Sequence, residues 1–333
     1  MENQWVFIVH PRDKQDIKVA FGNSVLAKIM MPFLSEFKVL SEERVIGTNG
    51  QIVVIPIMPH QMYKVPHKMQ ELVLKAVLAA QKSGIKVVGL GELTSCFTSG
   101  GEWLLKQNNF DGLIITTGNN LTAGVVCEEI KILIQIKREK SIEPLIAIVG
   151  ATGSVGSAVT QLLHKECELL LIARNMSKLL GLQLQCENVK VSNKVVDAYD
   201  SDIIVLLTSS EDNLINLSSV PNGVFIYDIT QPSNIDISQL ERRPDLFFVK
   251  GGLMVSSSDE KIKLNVNLSL PEGKIFACLV ETAILSIDNQ GLTSKDLTGN
   301  ANPETAMQLI KLAKGLDLFS SLALEHLETQ LVY

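Results

Sequence analysis

The chain has 333 residues and a formal net charge of −6, with 46% hydrophobic, 20% charged and 5% aromatic side chains. That length exceeds what one hydrophobic core usually organises, so two domains are expected. The acidic balance and the scarcity of aromatic rings exclude a nucleic-acid binder, which needs a positive footprint and stacking platforms.

No run of about twenty uncharged apolar residues occurs, so no membrane-spanning helix is expected. The opening residues, Met1-Glu-Asn-Gln-Trp5, lack the basic and apolar regions of a secretory signal. Five cysteines at irregular spacing argue against a disulfide framework and for a reducing, cytoplasmic setting. No CxxC pair or clustered His and Cys points to a metal site.

Taken in order, residues 5–9 read as a first strand and 14–34 as a helical stretch. Residues 44–57 hold two apolar runs around Asn49-Gly50, a strong hairpin signal. An amphipathic helix over 66–83, with Val73, Val77 and Ala80 on one side, stops at Gly84. A strand over 86–91 leads into a polar loop, 92–97, and a further strand spans 113–117. A helix over 121–139 then bridges to the second half. Residues 1–120 are thus predicted as an α/β domain of their own.

The next stretch carries the clearest chemical signal. An apolar run, 145–149, ends in Gly150-Ala-Thr-Gly-Ser-Val-Gly156, followed by a helical pattern to 165 and a second apolar strand over 168–175. Glycines in a strand–turn–helix let the backbone turn tightly and approach a pyrophosphate, whose charge sits at the N-terminus of the following helix. Gly150, Thr152, Gly153, Ser154, Val155 and Gly156 are therefore candidate dinucleotide contacts. An NAD site would place Asp or Glu at the end of the second strand, whereas this chain has Arg174-Asn175. A guanidinium there suits a 2′-phosphate, which predicts NADPH over NADH.

Strands over 202–208, 223–228 and 246–249 complete a Rossmann-type doubly wound parallel sheet, predicted as a domain over 121–270. Ligands bind at the C-terminal ends of such strands, so the nicotinamide half is expected near Thr208, Ser209, Gly251 and Gly252. Ordinary loop composition explains those residues as well.

The third predicted segment, 271–333, is helical and packs back on the domains, with helices over 272–287 and 303–315. Its first helix would place Cys278 in the first or second turn, where N-terminal amides can lower a thiol pKa. A cysteine inside Phe-Ala-Cys-Leu-Val also reads as a small buried apolar residue. Cys96 and Cys127 could approach a cleft, while Cys167 and Cys186 lie in elements facing core or solvent. No Ser/His/Asp set is identifiable among the scattered histidines His10, His60, His67, His164 and His326. No Tyr-x-x-x-Lys pair follows the glycine loop at the spacing of short-chain dehydrogenases.

Several segments together carry a resemblance. They are Lys75-Ala-Val-Leu-Ala-Ala-Gln-Lys-Ser-Gly-Ile85, Gly89-Leu-Gly-Glu-Leu-Thr-Ser95, Thr116-Thr-Gly-Asn-Asn-Leu-Thr-Ala123, the glycine loop, Ala173-Arg-Asn175 and Phe276-Ala-Cys-Leu-Val-Glu281. With them the chain resembles the cyanobacterial-type long-chain acyl-(acyl carrier protein) reductases, which form fatty aldehydes with NADPH. The resemblance implies that Cys278 is the acyl-accepting nucleophile and that the substrate is a thioester of acyl carrier protein or CoA. It also implies that Thr94, Ser95, Thr117 and Asn119 are candidate oxyanion donors, and that an aldehyde-consuming enzyme could act next. Two alternatives stay open. One is another NADP enzyme of similar plan, shikimate-dehydrogenase-like or glutamyl-tRNA-reductase-like; the other is a non-enzymatic NADPH-binding sensor.

Overall fold

The computed structural model describes residues 3–12, 14–22, 36–210, 212–258, 261–266, 268 and 270–323. The chain divides into two compact units. The first comprises residues 1–121, 254–299 and 311–318; the second comprises 122–253, 300–310 and 319–333. The stretch from 271 onward, expected as one segment, is shared between the two units.

The first unit is built on a sheet whose centre is β1 (Trp5–Val9), every residue of which is buried. A strand buried on both faces needs no alternation, and Trp-Val-Phe-Ile-Val has none. β1 runs parallel to β3 (Thr48–Val54) and β4 (Val87–Leu90), and β4 is parallel to β5 (Ile114–Thr116). β2 (Lys38–Val45) is antiparallel to β3 and carries a short antiparallel edge strand, Ile262–Lys263. On one face the helix Pro66–Lys82 buries Met69, Leu72, Val73, Ala76 and Val77 against Val6, Ile8, Val53 and Val88.

The other face takes the helix Ala277–Ile287, which packs on β1, β3 and β4. Nine of its eleven residues are buried. Its fully buried Leu279, Val280 and Ile284 contribute about 1.5–3 kcal/mol each by leaving water. Gly89 makes that packing close: a Cβ there would lie 2.0 Å from Thr282 Oγ1.

Three sequence expectations are corrected in this unit. The hairpin exists, but it turns at Ile46-Gly47, with φ of 49° and 78°, and not at Asn49-Gly50. Two successive positive φ values match the twist of the flanking strands. Gly50 instead lies inside β3 beside β1, where a Cβ would overlap the Trp5 ring at 1.9 Å. The helix expected from 272 begins at Ala277, because Gly273, with φ of 74°, belongs to a turn. Residues 92–97, expected as a loop, contain the short helix Leu93–Phe97. Of the helical stretch expected over 14–34, the described part holds the helix Lys14–Phe21, and residues 23–35 lie outside the described residues.

The second unit holds six strands: β6 (Leu145–Val149), β7 (Glu168–Ile172), β8 (Val189–Ser192), β9 (Ile203–Leu206), β10 (Phe225–Asp228) and β11 (Phe247–Lys250). They pair in the order β11-β10-β9-β6-β7-β8, all parallel. Counted from β6, this is the order 3-2-1-4-5-6 of a Rossmann sheet, with β6 and β9 flanking the switch point where a ligand crevice opens. Apolar cores lie on both faces, one around Ile146, Ile148, Leu169 and Val205, the other around Ala147, Val149, Ile204 and Leu206. The fold is thus α/β with a doubly wound parallel sheet. β8, which the sequence left unmarked, is a four-residue edge strand only partly buried. Among the described residues no helix is long and apolar enough to cross a membrane.

Candidate functional site

In the second unit the glycine loop connects β6 to the helix Ser154–Leu163. Gly150 has φ of 95°, and a Cβ on it would lie 2.6 Å from the Leu207 carbonyl. At Gly156 a Cβ would meet the Gly150 carbonyl at 2.3 Å, so the helix could not close on the strand. Gly153 is less confined, its nearest atom being Gly150 O at 3.1 Å, and it precedes the helix with extended backbone and no side-chain cap. These are the three glycine roles of a pyrophosphate loop: turn, open approach and close packing. The first turn of such a helix leaves amides without intrahelical partners, a ready anion site. Ser154 is partly committed inside the unit, because its hydroxyl oxygen accepts the Ala301 amide at 2.8 Å. Thr152 and Val155 sit at the same turn.

Arg174 is exposed just beyond β7, and Asn175 caps the next helix by accepting the Lys178 amide at 3.0 Å. At the other strand ends, the candidate contacts have structural duties. The Thr208 hydroxyl donates to Asn234 Oδ1 at 2.5 Å, and Asn234 in turn donates to the Ser210 and Asp212 carbonyls. Ser209 is exposed on that loop. Gly251 is required by Tyr227, whose ring a Cβ would overlap at 2.0 Å. Tyr227 is fully buried and donates its hydroxyl to Glu129, whose carboxylate also accepts the Gly252 amide at 3.1 Å.

Cys278 lies in the first unit, in the first turn of the helix Ala277–Ile287. It is half-buried, whereas Cys127 and Cys167 are buried, Cys186 half-buried and Cys96 exposed. The sulfur receives the Cys278 and Leu279 amides, which favour the thiolate. Desolvation outweighs them, followed by the negative charges of Glu92 and Glu281, and the thiol is pushed up to about 12. Cys127 and Cys167 are also pushed up to about 12, chiefly by burial.

Two carboxylates therefore act on Cys278 through their charge. Glu92 follows β4 with φ of 55° and lies beside His10, whose Nε2 is 3.3 Å from Glu92 Oε2 and accepts the Leu93 amide at 3.3 Å. The His10 Nδ1 is 3.1 Å from the Pro11 carbonyl, and Arg12 reaches Glu92 at 3.5 Å. Glu281, three residues beyond Cys278, is fully buried, and burial pushes its carboxyl up to about 7 against the hydrogen bonds it accepts from Thr116, Leu121 and Gly118.

The candidate oxyanion donors all lie in the first unit. Thr94 is buried and its hydroxyl donates to the Gly91 carbonyl at 2.5 Å, and Thr117 donates to Leu297 O at 3.3 Å, so those protons are engaged. Ser95 is buried in the same short helix as Thr94. Asn119 opens the helix Asn119–Glu139 directly after Gly118. Gly118 presses on the thiol residue: a Cβ there would sit 2.2 Å from Cys278 Cβ. The sequence reading missed Glu281 and the His10–Glu92 contact. The Phe-Ala-Cys-Leu-Val-Glu run contained the only local hint, an acid three residues after the cysteine and hence on the same helical face. Among the described residues no group of three or more His, Cys, Asp or Glu side chains is placed to hold a metal ion.

Comparison with known proteins finds relatives over part of the chain. The chain is 27% identical over 226 residues to the long-chain acyl-[acyl-carrier-protein] reductase of Synechococcus elongatus, a match covering 65% of this chain and 66% of that protein. It is 25% identical over 276 residues to the aminotransferase PigE of a Serratia species, covering 78% of this chain and 31% of that protein. The chain therefore spans less than two thirds of the length of either relative. Among solved structures it is similar to shikimate dehydrogenase from Aquifex aeolicus, at 13% identity and a TM-score of 0.39 over 92% of this chain and 97% of that one. No family model matches.

Proposed function

We propose that this protein is an NADPH-dependent reductase of fatty acyl thioesters, carried by acyl carrier protein or CoA, and that it releases the fatty aldehyde. The observation that carries the reading is Cys278, presented half-buried at a helix N-terminus, in a chain similar to an acyl-[acyl-carrier-protein] reductase and holding a dinucleotide loop.

On this reading the Gly150–Gly156 loop and the amides opening the Ser154–Leu163 helix hold the pyrophosphate, and Arg174 with Asn175 meets the 2′-phosphate. The cofactor, when bound, supplies the hydride that takes the captured acyl group to the aldehyde oxidation level. The remaining chemistry belongs to Cys278. Its sulfur bonds the carbonyl carbon, the carrier sulfur leaves, and the thiol proton ends on the carrier thiol, so the exchange of thioesters balances. Reduction takes up one proton and returns Cys278 to the thiol.

The developing oxyanion needs donors, for which the resemblance offers Thr94, Ser95, Thr117 and Asn119. Thr94 and Thr117 also fix the turns around them.

Intact-mass spectrometry after mixing with an acyl thioester tests the proposal. The expected result is an acyl adduct that is lost in Cys278→Ala and discharged as aldehyde when NADPH is added. Absence of an adduct on any cysteine, with NADPH bound, would overturn it in favour of a dehydrogenase or a sensor.

A further inference from the structure

The helix that bears Cys278 carries a buried acid to which the reading above gives no task. Glu281 has no exposed surface. One of its carboxylate oxygens accepts the Thr116 hydroxyl, and the other accepts the Leu121 amide at 2.6 Å. The Gly118 amide, which also donates to the Thr116 hydroxyl oxygen at 3.1 Å, lies within its reach as a third donor. These partners are 160 and 165 residues away in the chain. A carboxylate that grips both ends of a short segment holds the middle as well. The middle here is Gly118, whose φ of 71° only glycine adopts readily, and which lies flat against the Cα and Cβ of Cys278.

Resting on the reading above, we propose that Glu281 is the positioning residue of the Cys278 site: it pins the Thr116–Gly118 turn onto the cysteine and, once ionised, places a negative charge one helical turn from the sulfur. Two consequences can be separated. The hydrogen bonds decide where Asn119 and the turn amides stand relative to the thiol. The charge opposes the thiolate, alongside Glu92 from the loop after β4, which itself contacts His10 and Arg12 at the end of β1. Glutamine at 281 would keep the geometry, because its carbonyl can accept the Leu121 amide and its NH2 can donate to Thr116. It would remove the charge. Valine at 116 would do the reverse, removing one hydrogen bond and leaving the charge.

The experiment is alkylation of Cys278 by iodoacetamide at pH 8, followed by peptide mass spectrometry with Cys278→Ala to assign the site. It needs neither cofactor nor thioester. Glu281→Gln is expected to be alkylated about tenfold faster than wild type, the change that a one-unit drop in thiol pKa produces, with an unchanged circular dichroism spectrum. Thr116→Val is expected to stay within twofold of wild type. Its buried carboxyl band, followed by infrared titration, should move to higher pH because a bond to the charged form is gone. Equal alkylation rates in Glu281→Gln and wild type would overturn the proposal. If Glu281→Gln does not fold, an unmoved carboxyl band in Thr116→Val overturns it instead. Should the alkylation results hold while no acyl adduct forms, the acyl-transfer reading fails and the positioning role of Glu281 stands.

Discussion

The two sheets of this protein use glycine differently. In the second unit Gly150 and Gly156 let backbone close on backbone, against the Leu207 and Gly150 carbonyls, while Gly153 is the less confined glycine of the loop. In the first unit Gly50, Gly89 and Gly118 are filled from within, by the Trp5 ring, the Thr282 hydroxyl and Cys278 respectively. A missing side chain therefore suits ligand approach at the open position of a strand, turn and helix N-terminus in succession. Elsewhere it marks close packing, and at Gly118 that packing touches the candidate nucleophile.

The sharpest way to separate the two regions is Cys278→Ala. Thioester reduction should fall by at least about a thousandfold, as expected on deleting a nucleophile, with NADPH affinity measured by fluorescence titration unchanged. Next in size is a pair of alanine substitutions. Gly118→Ala meets Cys278 and a positive φ, an overpacking cost of about 1–3 kcal/mol plus about 1–2 kcal/mol of backbone strain. It should abolish adduct formation and leave cofactor affinity within twofold. Gly156→Ala meets the Gly150 carbonyl and should do the reverse, weakening NADPH binding at least about tenfold while Cys278 alkylates at the wild-type rate. If both variants lose both properties, the two regions are not separable in this way.

A smaller effect concerns pH. The folded Glu281 carboxyl, at about 7, lies above its ordinary value of 4.5. Its protonated form is thus favoured by folding, and the stability it contributes is complete below pH 4.5 and lost as pH rises through 7. The difference amounts to about 3 kcal/mol. Thermal melting of wild type should therefore fall between pH 5 and 7.5 relative to Glu281→Gln. A parallel pH dependence in the two proteins would show that burial does not hold this proton. The smallest effect is expected at Arg174→Ala, which should reduce the preference for NADPH over NADH about tenfold, near 1.4 kcal/mol, in steady-state kinetics with each cofactor.

How much was legible beforehand differs between the regions for a physical reason. The dinucleotide loop is a local object: seven residues, one strand before and one helix after. Its spacing states its geometry, and the doubly wound sheet follows from apolar runs separated by turns. The hairpin was legible as a hairpin, yet Asn49-Gly50 pointed to the wrong turn. Gly50 answers to Trp5, forty-five positions away, and Ile46-Gly47 carries no strong turn signature. The Ala277–Ile287 helix was expected about five residues early, because Pro271-Glu272 looks like a helix start until Gly273 is seen to turn.

By itself the sequence determined that the chain is a two-part α/β protein with a glycine loop after β6, an arginine after β7 and a cysteine near a helix start. All of these depend on neighbours a few residues apart, where backbone periodicity and glycine freedom decide the outcome. Tertiary structure alone decided what surrounds that cysteine. Gly118 lies on its Cβ, Glu92 and Glu281 bring charge to its sulfur, and Thr116 and Leu121 satisfy the buried acid beside it. Desolvation and charge act through space, so the proton affinity of Cys278 belongs to the packed first unit and not to the residues that flank it in the chain.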